Sequence, residues 1–384
     1  MDWEPVYKVS ALAFLIGIVF GAVVNKTNFC TMGAVSDWVN MGDRNRLRAW
    51  LLAIGLAIVL SQGMQAFGLF ELNQAIYLTT NFGWLGYLLG GFLFGIGMTL
   101  ASGCGQRTLV RVGGGNLKSL VVMIFLGLTA YMTVRGLLAL VRVNAVEVTN
   151  IKLGAADQGI DTLIAAAAGI ENMAAISWLI AALLGGGLII YAFASASFRR
   201  SSNDILAGLV IGLIIPAGWY VTGVIGFDDF EPARFESYTF VAPTGESLQY
   251  LMTFTGSTIS FGVSAVFGVI LGSFLYAVLS RKFRFEYFIS LDDMVRHILG
   301  GILMGFGGVL ALGCTIGQGI TGMSTLALGS LVALVSIVFG SALTMKIQYY
   351  KMVYEEEAGF FSALVASLAD FHLLPNGLRK LDKV

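Results

Sequence analysis

Nine apolar stretches, each long or nearly long enough to cross a bilayer, constrain this chain more than any other feature. Crossing roughly 30 Å of hydrocarbon takes about 20 helical residues. The stretches run Val9 to Val24, Ala49 to Phe70, Trp84 to Ser102, Leu120 to Leu140, Ala174 to Ser197, Ile205 to Ile225, Thr258 to Leu279, Ile298 to Leu312 and Leu326 to Met345. The first lacks a basic leader and a small-x-small cleavage site, so it reads as a helix and not as a signal peptide. Two weaker stretches, Thr162 to Ile170 and Phe360 to Phe371, are too short to span and are expected as interfacial or re-entrant helices. The residues are 57% hydrophobic and only 12% charged, about half the charged fraction of a soluble domain. Lys plus Arg equals Asp plus Glu, 23 each. These values exclude a soluble globular domain, a disordered chain and a nucleic-acid binder that relies on net positive charge. They leave an all-α polytopic membrane protein of about nine transmembrane helices plus short re-entrant helices. With 49 Gly against 5 Pro, closely packed helices and non-helical turns are expected within it.

The basic residues orient the chain. With the N-terminus outside, eighteen Lys and Arg fall on one side and four on the other, with Arg135 inside a span. The bias predicts a periplasmic N-terminus and a cytoplasmic C-terminus, with the acidic loop from Phe227 to Glu246 outside. Arg135 is open between a functional charge and a side chain that snorkels to an interface. Glu171 is expected at an interface, as is His297.

The chain repeats itself. Gly90, Gly91, Leu93, Gly95, Gly97, Leu100, Ala101, Gly103 and Cys104 recur 210 residues later as Gly300, Gly301, Leu303, Gly305, Gly307, Leu310, Ala311, Gly313 and Cys314. A weaker echo links Gly17 and Gly21 to Gly208 and Gly212. Spans one to four then match spans six to nine. A displacement of five spans, an odd number, inverts one half relative to the other, as in transporters with a site at the midplane. The expected organisation is a first inverted repeat over 1–145, a connector with span five over 146–200, a second repeat over 201–350, and a cytoplasmic tail over 351–384 with a short amphipathic or re-entrant helix.

Three cysteines, Cys30, Cys104 and Cys314, form neither a disulfide framework nor a zinc ribbon. Cys104 and Cys314 each end a glycine-rich apolar run at Gly103 and Gly313, where a helix is expected to break. Non-helical backbone is tolerated at membrane depth only where protein or water covers it, and the helix N-termini so created attract anions. Gln106, Thr315 and Gln318 add hydrogen-bonding side chains. Cys30 follows a similar polar break, with its repeat partner expected near Val221. The alternative is that each thiol is a small buried hydrophobe. Arg107, Arg111 and Lys118 read either as ordinary positive-inside residues or as an electropositive cytoplasmic mouth. Only two histidines, His297 and His372, could assist a metal site, so no metal is expected. No phosphate-binding G-x-x-x-x-G-K-[ST] occurs, and neither an enzyme nor a cofactor is predicted.

The two halves, the repeated Leu-Ala-x-Gly-Cys and the early Phe29-Cys30 resemble the YeeE/YedE sulfur-transport family over nearly the whole chain. The resemblance implies an hourglass-like protein of the bacterial inner membrane, with substrate-binding Cys30, Cys104 and Cys314 along a central path. It implies thiosulfate uptake by S–H hydrogen bonds, and a TusA-like cytoplasmic sulfurtransferase as a receiver. Another sulfur or selenium species, or a membrane thiol-exchange function, stays open at this point.

Overall fold

The computed structural model describes residues 5–154, 156–169, 173–228, 233–354, 359–375 and 381. Among the described residues, nine helical segments are long and apolar enough to cross a membrane. The protein is an all-α polytopic membrane protein, and the described residues include a two-residue strand pair, Asn81–Phe82 against Ile151–Lys152. Glu171 lies outside the described residues.

In chain order the helices are α1 (Pro5–Thr27), α2 (Thr31–Ser36), α3 (Asn45–Ala66), α4 (Gly91–Leu100), α5 (Gly105–Gly113), α6 (Leu117–Arg135), α7 (Ile160–Ala168), α8 (Met173–Phe193), α9 (Ser202–Tyr220), α10 (Val241–Met252), α11 (Phe261–Leu279), α12 (Leu291–Leu310), α13 (Leu328–Val353) and α14 (Phe360–Asp370). Side-chain caps set several starts. Asn116 accepts from the Ser119 N–H at 2.7 Å, and Ser260 and Ser290 cap α11 and α12.

Three expectations shift. The eighth span begins at Leu291 and not near Ile298, because Ser290 caps a polar first turn that carries Asp292 and Asp293. Arg135, left open between two readings, is the exposed last residue of α6 and of its span; a cation is favourable at a helix C-terminus. The acidic stretch from Phe227 to Glu246 is not all loop, since α10 starts within it. This helix buries Val241, Pro243, Thr244, Gly245 and Ser247 and packs on α6, α11 and α12. Its Pro lies in the first turn, where no helical hydrogen bond is lost.

Glycines set the spacing of the helices, and they do so in matched pairs. A Cβ added at Gly97 on α4 would lie 2.7 Å from the Gly300 carbonyl oxygen on α12, and one at Gly300 would lie 2.7 Å from the Gly97 carbonyl. The repeated motifs therefore pack against each other. Likewise a Cβ at Gly17 on α1 would meet the Ala265 carbonyl on α11 at 2.9 Å. One at Gly208 on α9 would meet the Ala49 carbonyl on α3 at the same distance. The contacts α1 with α11 and α9 with α3 correspond, as do α4 with α13 and α12 with α6. Backbones this close gain dispersion contacts that larger side chains would prevent.

Candidate functional site

Each cysteine follows the same backbone device. Two residues before it stands a non-glycine residue in the left-handed region: Asn28 (φ 54°) before Cys30, Ser102 (φ 57°) before Cys104, and Leu312 (φ 58°) before Cys314. This conformation costs a side-chain-bearing residue about 1 kcal/mol. At the repeated turns it closes the preceding helix, with Gly103 N–H donating to the Met98 carbonyl and Gly313 N–H to the Gly308 carbonyl, 2.9 and 2.8 Å. The chain then extends and the cysteine becomes the N-cap of a new helix: α2 after Cys30, α5 after Cys104, and the helical segment 315–324 after Cys314. The Gly317 N–H donates to Cys314 Sγ at 3.4 Å. The Gly33 and Arg107 N–H groups sit in the same relation to the other two thiols, in looser alignment. Such N–H groups are unpaired within a helix and carry its positive end.

The three turns converge. The Cys30 and Cys104 thiols lie against each other, and the Cys104 thiol also faces Thr315, next to Cys314. Gln106 on α5 donates to the Phe29 carbonyl at 3.4 Å, which ties the first turn to the second. Cys104, Cys314, Gln106, Thr315 and Gln318 are 0% exposed, and Cys30 is 6% exposed. The cluster is thus sealed from solvent in this conformation.

Several polar atoms here are buried without a hydrogen-bond partner: Gln106 Oε1, Thr315 Oγ1 and Thr31 Oγ1, together with Trp50 Nε1, whose ring stacks on Phe29 at 4.6 Å. A buried polar group left unpaired costs about 1–3 kcal/mol, so four around one cluster call for an explanation. Gln318 differs from them. Its amide donates to the Ala311 carbonyl and accepts from Ser330. It holds the turn that precedes Cys314 and presents no free polar atom to a ligand.

The flanks of the cluster differ. Toward α5, Arg107 donates to Asn28 Oδ1 and Arg111 to the Ser102 carbonyl, both at 2.8 Å, so two guanidinium groups brace two of the strained turns. They also line a cavity of about 280 Å³ with Lys282, Arg284 and Glu286, while Arg46 reaches over Gly33 on α2. Lys118 lies elsewhere, in a 2.7 Å ion pair with Asp293. His297 is buried against the same Asp293, at 3.0 Å. Among the described residues no three His, Cys, Asp or Glu are grouped to hold a metal.

On the Cys314 side stand Thr239, the Phe240 backbone, Tyr77 and Glu236. Burial raises the Tyr77 hydroxyl above its ordinary range. Burial likewise pushes the Glu236 carboxyl up to about 7, with Arg234 opposing and Glu246 adding to the shift. Thr321 donates to the Tyr238 carbonyl at 2.7 Å, much as Gln106 meets Phe29. Phe240 stands before α10 as Cys30 stands before α2, while Val221, expected as the partner of Cys30, continues the helix after α9. Thr31 and Trp50 have no repeat signal, and only their burial without partners distinguishes them.

The Sulphur transport family model matches residues 26–343. The chain is 27% identical over 349 residues to the thiosulfate transporter TsuA of Escherichia coli strain K12, covering 85% of this chain and 91% of that protein. It is 25% identical over 334 residues to the thiosulfate transporter TsuA of Spirochaeta thermophila, covering 85% and 95%.

Proposed function

The chain belongs to the sulphur transport family, and from that premise we propose that it carries thiosulfate across the membrane through the cluster of cysteine turns. One observation carries the reading. The Cys104 thiol stands between the Cys30 thiol and Thr315, at the meeting of three helix N-termini.

Thiosulfate has a soft sulfur end and a hard oxygen end. The soft end suits weak S–H donors, and the oxygens suit free N–H and hydroxyl groups such as those of Thr315, Thr31 and Trp50. Thiols bind loosely enough to release as well as to capture, which conduction requires. Neutral donors and helix ends stabilise a dehydrated anion without a buried cation that would trap it. The two inverted halves, 1–145 and 201–350, would open the sealed cluster to one side at a time by rocking about the α4–α12 glycine contact. The basic cavity marks the cytoplasmic exit, with the C-terminus on that side. A TusA-like sulfurtransferase would receive the cargo there. The protein acts on this reading as a carrier and not as an enzyme.

The test is growth. A bacterium without other thiosulfate uptake routes, given thiosulfate as its sole sulfur source, should grow with the wild-type chain. It should fail with Cys104→Ala or Cys314→Ala present at equal membrane levels. Equal growth of both variants would remove the thiols from the path.

A further inference from the structure

A second site lies on the flank of the protein and shares Lys282 and Arg284 with the cavity beside Arg107 and Arg111. An apolar groove of about 490 Å³ runs between α1, α5, α6 and α11, walled by Phe14, Leu120, Phe267, Leu271, Phe274 and Phe283. Phe274, Phe283 and the neighbouring Phe285 are 41%, 36% and 60% exposed, so the groove opens outward. At its end the chain reverses at Arg281, which adopts φ 55°. The Lys282 N–H returns to the Ala277 carbonyl at 2.8 Å. The following residues are pinned on the turn between α5 and α6, with Arg284 N–H donating to the Gly114 carbonyl and Leu117 N–H to the Glu286 carbonyl.

This loop alternates in chemistry. Phe283 packs edge-on against Phe274 at 5.6 Å and lines the apolar groove. It also lines an adjoining cavity of about 420 Å³, whose other walls are Arg281, Lys282 and Arg284. One aromatic ring therefore separates an apolar trough from a basic cup. Glu286 is the carboxylate of this loop, and it pairs with Arg284 at 2.7 Å, which leaves the cup with a positive excess.

We propose that this is a binding site for an anionic diacyl phospholipid, with an acyl chain in the groove and the phosphate in the basic cup. Bilayer lipid fills any groove on an apolar flank; the basic rim selects for a negative headgroup. The charge count also places the site in the leaflet on the basic side, where such lipids meet Lys and Arg. The groove reaches the functional cluster through one short helix. Its wall includes Gly113, the last residue of α5, where an added Cβ would lie 2.8 Å from Ser273 Cβ on α11. Cys104 caps the opposite end of that helix. A bound lipid braces α5 where it meets α11.

Native mass spectrometry of the detergent-purified protein tests this, with phosphatidylglycerol and phosphatidylcholine as probes. The wild type should retain phosphatidylglycerol about tenfold better than phosphatidylcholine. The combined Arg281→Gln, Lys282→Gln and Arg284→Gln variant should lose that preference. Leu271→Trp, which fills the groove and keeps the charges, should lose retained lipid of both kinds; single Lys282→Gln replaces the triple variant if the latter is not monodisperse. Equal retention of the two lipids by the wild type, or an unchanged preference in the charge variants, would overturn the proposal. So would a stable dimer cross-linked through the Leu271 face, because a second copy would then cover the groove.

Discussion

The turns at Cys104 and Cys314 share a backbone and differ in almost everything around it. Both close a glycine-rich helix with a left-handed residue, Ser102 or Leu312, and both restart a helix at the cysteine. Around Cys104 lie a second thiol and two guanidinium groups that brace the turns. Around Cys314 lie Thr239, Tyr77 and a neutral amide, Gln318. The repeated part is therefore the shape that exposes N–H groups and a thiol at a helix start, while the unrepeated part sets the electrostatics of each end. On the proposed reading, capture follows from the shared geometry and direction from the differing flanks.

The largest effect expected is the asymmetry between the two thiols. A hydrogen bond to a developing partner is worth about tenfold, so Cys104→Ala, which removes contacts to both sides, should lower uptake about a hundredfold and Cys314→Ala about tenfold. Equal losses in vesicle uptake assays would break the proposed difference between the turns.

Next comes Thr315→Val. Its hydroxyl is buried without a partner, so the change should leave thermal stability equal or higher, while uptake falls about tenfold. A parallel loss of stability and uptake would make Thr315 a packing residue only.

Smaller still is relief of strain at the turns. Leu312→Gly should stabilise the protein by about 0.5 kcal/mol, the left-handed cost less the added freedom of the unfolded chain. Ser102→Gly should do the same to a similar extent if the two turns are equivalent. Thermal unfolding in detergent compares them directly, and destabilisation by both would show that the turns carry no strain.

The smallest effect concerns the Cys314 flank. With its carboxyl pushed up to about 7, Glu236 is neutral below that value and charged above it. A negative charge near Tyr77 and Cys314 repels an anion, so uptake should rise about two- to threefold as pH falls from about 8 to about 6. Glu236→Gln should flatten that profile at the higher level. The same raised value means that the folded state binds the extra proton, so the stability that Glu236 contributes falls as pH rises from its unfolded value of 4.5 to about 7. A pH profile unchanged by Glu236→Gln would remove this residue from the entrance.

Much of this was legible in the residues. The nine spans follow from hydropathy alone, because every backbone group in a bilayer must bond within its own helix. The paired motifs around Gly90 and Gly300 mark both the packing seam and the breaks, because glycine is what close helix contact selects. Helix α10 was not legible, since Pro243, Gly245 and Glu246 disguise an element stabilised by tertiary packing. Thr31 and Trp50 were hidden for another reason. An unpartnered hydroxyl or indole N–H is a property of the assembled interior, and sequence spacing carries no trace of it. Gln318 shows the converse: its residue type invited a ligand role, while the fold engages both its polar atoms in holding a turn.

The central claim is that the anion passes the Cys104 thiol. The most direct measurement is initial-rate uptake of radiolabelled thiosulfate into proteoliposomes that contain equal amounts of the wild type or Cys104→Ala. The account predicts saturable uptake by the wild type, and a variant rate near that of protein-free vesicles. Wild-type rates from correctly folded Cys104→Ala would contradict it.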